Sequence, residues 1–352
     1  MNPNEHALQY PFGDTQPERG TALEVAPGVK WVRMPLPFAL DHINVWLLRD
    51  EIDGRQGWTI VDCGVSRDEV RELWEQVFAT QLDGLPVLRV IVTHMHPDHM
   101  GLAYWLCERW QAPLWMSMTD YMTALSWSSQ AGGSGSNGEA AVAHFSRHGM
   151  TDPDQQEQIR QRTGYYPGLV PSVPASYTRV MDGDEIKIGD HAWQVIVGYG
   201  HAPEHVSLYC PDLRVVISGD MVLPRISTNV SVFAYEPDSD PLRLYLQSLD
   251  GYRDVADDAL VLPSHGRPFK GLHERIAQQH QHHADRLAEV LEACAQPQST
   301  MDIVPVMFKR KLDLHQLTFA MGEALAHLHM LYFQGKLTRR TEDDGIVRFR
   351  VR

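Results

Sequence analysis

Residues 93–99 read Thr93-His94-Met95-His96-Pro97-Asp98-His99, three histidines and one aspartate in an H-x-H-x-D-H spacing. The run before it, Leu88-Arg89-Val90-Ile91-Val92, has the β-branched content of a buried strand. Pro97 cannot continue that strand, so the chain must turn there. A turn lets side chains at i, i+2, i+4 and i+5 converge on two neighbouring points. Imidazole nitrogen and carboxylate oxygen are the donors that a catalytic Zn2+ takes. The bland alternative is a histidine-rich surface loop, since the chain has 18 His. That alternative leaves the rest of the pattern unexplained.

Three later segments supply the remainder. Val195 to His201 predicts a strand ending in Gly-His, Val215 to Asp220 a strand ending in Gly-Asp, and Leu260 to Gly266 a strand ending in Ser-His-Gly. Upstream, Trp58 to Gly64 repeats the pattern with Asp62. Each sets one ligand-type residue just past the carboxyl end of an apolar strand, where α/β proteins build their sites.

In their order these segments resemble the five motifs of the metallo-β-lactamase-fold hydrolase superfamily, over roughly residues 25–270. The resemblance implies that His94, His96 and His201 hold a first metal, that Asp98, His99 and His265 hold a second, and that Asp220 bridges the two. It implies two divalent ions, Zn2+ foremost; this donor set also admits Fe or Mn. Asp62 takes the place of a carboxylate that orients ligands without binding metal. The implied fold is a four-layer αβ/βα sandwich with the site at one edge. One departure is Glu204, in His201-Ala202-Pro203-Glu204-His205, where many relatives carry Gly. It places a carboxylate near the site, with His205 as a supporting residue. The implied chemistry is attack of a metal-bridging hydroxide on a carbonyl, with Asp220 and Asp98 as the catalytic carboxylates.

Substrate is less constrained, because the fold serves lactamases, thioesterases, lactonases, phosphodiesterases and nucleases. An ester, thioester or lactone is the leading expectation. Tyr121, Trp127, Tyr165 and Tyr166 read either as an apolar acyl pocket or as core. Tyr199 and Asn229 read as donors to an oxyanion. The competing hypothesis is a metal-dependent endoribonuclease or phosphodiesterase acting on single-stranded RNA. A non-catalytic binding protein is disfavoured, since no metal position is substituted.

The net charge of −14 repels phosphate backbones, which disfavours nucleic acid and suits a small acyl substrate. No apolar run reaches the ~18 residues of a membrane span. Met1 to Gly20 lacks the basic start and apolar core of a signal peptide. Cys63, Cys107, Cys210 and Cys294 form no C-x-x-C pair. Together these features predict a cytoplasmic protein with reduced thiols, and a homodimer is the default assembly.

The expected organisation is an N-terminal arm over 1–24, a catalytic domain over 25–296 and a small domain over 297–352. Ser66 to Thr80 predicts a helix with a Ser66/Glu69 capping box, and Met100 to Trp110 a second helix. Residues 118–180 read as an insertion serving as a substrate lid. Within it, Gly132 to Gly138 cannot pack a core, helices lie around 139–148 and 153–163, and Pro167, Pro171 and Pro174 exclude further regular structure. Leu272 to Cys294 predicts a helix whose His280, His282 and His283 are surface or interface residues. The tail predicts a short helix after Ser299/Thr300, a helix over Leu314 to Gln334, and two short strands. That outline resembles the winged-helix extension of a superfamily branch that includes a lactamase-like endoribonuclease. Leu314 to Gln334 carries three His, one Glu and no Lys or Arg. It therefore reads as a packing or dimerisation helix, not one that enters a groove.

Overall fold

Apolar residues alternate along the first-half strands, and the alternation builds two cores on opposite faces of one sheet. In β2 (Val29–Pro35), Val32 and Met34 enter one core while Val29 and Trp31 enter the other. In β3 (His42–Ile52), Ile43, Val45 and Leu47 face the first core and Trp46 and Leu48 the second. These observations come from a computed structural model described over residues 6–38, 40–129, 138–161 and 164–352. The chain forms two compact units. One comprises Met1–Ser129, Tyr166–Thr228 and Ser248–Ile276; the other comprises Gln130–Tyr165, Asn229–Gln247 and Ala277–Arg352.

The first unit holds two sheets. β1 (Ala22–Ala26), β2, β3, β4 (Arg55–Val61), β5 (Val87–Ile91), β6 (Leu114–Met116) and β7 (Tyr177–Arg179) lie side by side in that order. The pairs from β1 to β4 are antiparallel, and those from β4 to β7 are parallel. The second sheet contains β8 (Glu185–Ile188), β9 (His191–Gly198), β10 (His205–Cys210), β11 (Val215–Gly219) and β12 (Leu260–Pro263). Its spatial order is β12-β11-β10-β9-β8. Trp31, Trp46, Val61 and Ile91 of the first sheet share a core with Trp193, Val206, Leu208 and Ile217 of the second. The other face of the first sheet is covered by the helices Asp68–Thr80 and Ala103–Trp110, through Val70, Trp74, Val77, Ala103 and Leu106. This is the expected mixed α/β sandwich.

Three local expectations need correction. The Asp68–Thr80 helix is preceded by Arg67 with no side-chain cap. Ser66 Oγ instead accepts from Arg71 Nη2 at 3.0 Å, and Glu69 pairs with Arg19. The second helix is split into Pro97–Met100 and Ala103–Trp110. At the break, a Cβ on Gly101 would press on the backbone of Gly64 and Val65. The missing side chain at Gly101 thus lets the chain pack directly on the loop after β4. Finally, residues 118–180 are not wholly an insertion. β7 extends the first sheet, and a short helix, Tyr165–Leu169, passes through Pro167 near its start, where proline is tolerated. Residues 132–137 of the glycine-rich segment lie outside the described residues.

The second unit includes the helices Gly138–Arg147, Pro153–Arg160, Thr300–Met307 and Leu314–Phe333. The last two begin in capping boxes, Ser299/Asp302 and Asp313/Gln316. Strands β13 (Leu337–Thr341) and β14 (Val347–Val351) close the chain as an antiparallel hairpin. The Leu272–Ala293 helix carries His283, which is fully buried and not on the surface, with Nδ1 3.1 Å from Nε2 of His327. No described helix is long and apolar enough to cross a membrane.

Candidate metal centre

The strand-end residues of the first unit meet at one place. His94, His96 and His99 leave the end of β5, His201 follows β9, Asp220 follows β11 and His265 follows β12. His94 Nε2, His96 Nδ1 and His201 Nε2 stand 2.8, 3.1 and 3.2 Å apart. Donors on one tetrahedral ion, at about 2.0–2.1 Å from it, lie roughly 3.3 Å from each other. Asp98, His99 and His265 form a second group able to hold a cation, and His94, His99 and Asp220 a third. His99 Nε2 lies 3.6 Å from Asp98 Oδ2, and His265 Nε2 lies 3.3 Å from it. Asp220 spans both groups. Its Oδ2 is 3.3 Å from His201 Nε2, and its Oδ1 is 3.7 and 3.5 Å from Nε2 of His99 and His265.

His99 Nε2 and Asp220 Oδ1 are buried with no hydrogen-bond partner. Such a group costs about 1–3 kcal/mol if nothing satisfies it. A cation between them satisfies both, so the side chains present fit a resident divalent metal.

Surrounding groups fix the rings. Asp62 follows β4 with φ of 63°, a left-handed conformation rare outside glycine, and it is fully buried. Its Oδ2 accepts from His99 Nδ1 at 2.8 Å, and its Oδ1 accepts from the Thr93 amide at 2.8 Å. The Thr93 hydroxyl donates to Asp62 and lies 3.0 Å from His94 Nδ1. His265 Nδ1 donates to the His42 carbonyl at 2.8 Å. The Asp220 amide donates to His205 Nε2 at 3.1 Å. Gly219, at φ 52°, is required beside it, because any Cβ there would collide with the His205 ring. These are the positioning contacts that metal-ligating groups need.

The electrostatics follow from burial and neighbours. Burial pulls His99 down, but Asp62, Asp98 and Asp220 outweigh it and hold the ring at about 9. Burial and the His201 ring push His96 down to about 3. Burial would raise Asp98, yet His99 and His265 hold it at about 2.

Several supporting residues were not anticipated. Asn44, fully buried in β3, donates to the carbonyls of Pro263 and Gly266 and accepts from Trp31, bracing the His265 loop. Asp120 accepts from the amides of Met95 and Glu204, tying two ligand loops together. The Glu204 carboxylate accepts from the amide and hydroxyl of Thr119. Tyr166 donates to the Met95 carbonyl at 2.5 Å. Tyr121 and Tyr166 belong to the core, and Trp127 packs against it. Tyr165 lies in the second unit and is exposed. Tyr199 is 41% exposed two positions before His201. Asn229 lies in the second unit, accepting from Ser231. Cys63 is core, its thiol pushed well up by burial.

A family model described as the metallo-beta-lactamase superfamily matches residues 39–265, and one described as a metallo-beta-lactamase-like C-terminal domain matches residues 287–352. The chain belongs to the metallo-beta-lactamase superfamily. Its relatives agree. A beta-lactamase domain protein from Burkholderia ambifaria, of known crystal structure, is 56% identical, with each chain covered completely and a TM-score of 0.94. A metallo-beta-lactamase family protein from Thermus thermophilus is 25% identical, with 94% of this chain and 100% of that one covered and a TM-score of 0.75. A probable metallo-hydrolase of Bacillus subtilis, YqjP, is 23% identical over 340 residues, covering 90% of this chain and 95% of that protein. This superfamily member is a metal-dependent hydrolase whose histidines and aspartates are grouped to bind metal.

Proposed function

We propose that His94, His96 and His201 hold one divalent cation, that Asp98, His99 and His265 hold a second, and that Asp220 touches both. We further propose that the protein hydrolyses the carbonyl bond of an ester, thioester or lactone. The observation that carries the reading is the division of the Asp220 carboxylate, one oxygen facing His201 and the other facing His99 and His265. When bound, the two cations, zinc in our assignment, would supply Lewis acidity and lower the pKa of a shared water to about 7. Asp62 and the His42 carbonyl keep Nδ1 of His99 and His265 protonated, so that each ring turns Nε2 inward. Asp120 and Asn44 hold the loops that deliver these rings. Tyr199, exposed near His201, is assigned to substrate contact.

The acyl substrate is favoured over RNA by the net charge of −14 and by the Leu314–Phe333 helix, which is buried along most of its length. We read residues 297–352 as a winged-helix-like domain used for packing or dimerisation. The four cysteines, none in a disulfide, fit a reducing cytoplasmic setting.

The test is hydrolysis by the metal-loaded protein of an acyl-thioester, a lactone, a β-lactam, a phosphodiester and single-stranded RNA, with His96→Ala alongside. Metal-dependent cleavage of thioester or lactone is expected. Cleavage of RNA alone overturns the substrate assignment.

A further inference from the structure

Large apolar side chains stand exposed on one flank of the metal centre. In the helix Met118–Ser128, Met118 is 45% and Met122 53% exposed, and Leu125 is exposed as well. Spacings of four and three residues set these three side chains along one helix face. At the helical rise per residue the stripe is about 10 Å long. Asp120, Tyr121 and Ala124 of the same helix are buried and hold it in place.

Backbone pairing brings Met181 and Tyr199 to the same flank. β6 and β7 run parallel with Met116 opposite Arg179, and the Val180 amide donates to the Met116 carbonyl at 3.0 Å. Met118 and Met181 therefore follow the two strands at one level, and Met181 is also exposed. Next to it, Asp182 Oδ1 accepts from the Val197 amide at 2.9 Å, which ties this edge to the end of β9. Tyr199 follows β9, and His201 comes two positions later. Glu204 Oε2 closes the circuit, accepting from the amide and hydroxyl of Thr119 at 3.2 and 3.0 Å. All of these residues belong to the first unit. An exposed apolar patch of this kind marks a binding surface, and this one begins at the loop that carries a metal ligand. Burial, and then the charges of Glu204 and Asp182, raise the Tyr199 phenol above its ordinary range. Two carboxylates near the ring disfavour an anionic ligand there, so the patch suits an uncharged apolar chain. The flexible thioethers of methionine let such a surface follow chains of varied shape.

We infer that Met118, Met122, Leu125, Met181 and Tyr199 form the subsite for an uncharged apolar chain of the substrate, extending from the carbonyl held at the metal centre. The inference rests on the carbonyl-hydrolase reading above and narrows its substrates to those with a long alkyl chain. That chain belongs either to the acyl group or to the leaving group, and the experiment separates the two.

The probes are the methyl thioesters of butanoate and decanoate and the decyl thioester of acetate, hydrolysed by the metal-loaded protein. Each methylene that the patch covers on one side should raise kcat/KM about twofold, half the free energy of full burial, and mainly through KM. Preference for the decanoate thioester places the chain on the acyl side, and preference for the acetate thioester places it on the leaving side. Met122→Ser and Met181→Ser should each reduce the long-chain preference about fivefold. Phe333→Ser, at an exposed residue of the second unit, should keep it. Calorimetric titration with decanoate and butanoate is a second readout that needs no turnover. Decanoate should bind at least about tenfold tighter, and the two methionine variants should lose most of that margin. Equal turnover of long and short thioesters overturns the subsite and leaves the hydrolase reading standing. If no thioester, ester or lactone is cleaved, the hydrolase reading fails, and the titration decides the subsite: tighter decanoate binding that the methionine variants lose supports it, and equal binding of the two acids overturns it. A methionine variant that turns a dimer into monomers, with the long-chain preference kept, also overturns the subsite, since the patch is then an interface between copies.

Discussion

His99 in the first unit and His283 in the second are both fully buried, yet they are driven in opposite directions. Around His99, the carboxylates of Asp62, Asp98 and Asp220 outweigh burial and hold the ring at about 9. Around His283, burial dominates and the charges that reach it are those of His327, His282 and His280, so the ring is held at about 2. His148 and His327 of the second unit follow the same rule, at about 3 and about 4. Burial alone therefore makes an imidazole neutral and inert. What makes a metal centre is carboxylates among the rings and lone pairs aimed at a common point. Among the described residues, every group able to hold a metal lies in the first unit.

The comparison breaks most directly at Asp220. Asp220→Ala should lower turnover at least about a thousandfold, on the order of 4 kcal/mol. Bound metal should fall from two equivalents to one or none by elemental analysis, with the circular dichroism spectrum unchanged.

Next is Glu323, a carboxyl of the second unit that burial raises to about 7, with Asn229 and Arg286 relieving it only in part. The unfolded carboxyl ionises near 4.5, so the folded form holds an extra proton between that pH and about 7. Stability should fall as pH rises through this window. Glu323→Gln should remove the fall, roughly 3 kcal/mol, in denaturant titrations at pH 4.5 and 8.

Asp62→Ala should cost about 10- to 100-fold in metal affinity or turnover, since it removes the group that orients His99. A metal titration monitored by activity reads this directly. His283→Gln should be the mildest. Metal content and turnover should hold, while stability falls by about 1–2 kcal/mol through the lost contact with His327.

The grouping of these histidines and aspartates could be read in the chain because each member follows an apolar strand at a turn, a pattern that local residue types impose. The groups that brace the ligands could not be read in the same way. Asn44 stands in the apolar run Ile43 to Leu48, and a polar residue buried there was a signal in itself. Its partners, Pro263 and Gly266, are more than 200 positions away. Asp120 likewise joins Met95, 25 positions before it, to Glu204, 84 positions after it. The capping box at Ser66 failed because Arg71, five positions on in the helix that follows, reached the hydroxyl. Tyr121 and Tyr166 went to the core because sheet and helices enclosed them, which aromatic content alone does not reveal.

The measurement that tests the account most directly is anomalous diffraction at the absorption edge of the bound metal, from crystals of the metal-loaded protein. The account predicts two peaks in the first unit. One should lie among His94, His96 and His201, and the other among Asp98, His99 and His265, with Asp220 in contact with both. A single peak with Asp220 free, or a peak beside His283 and His327, would contradict it.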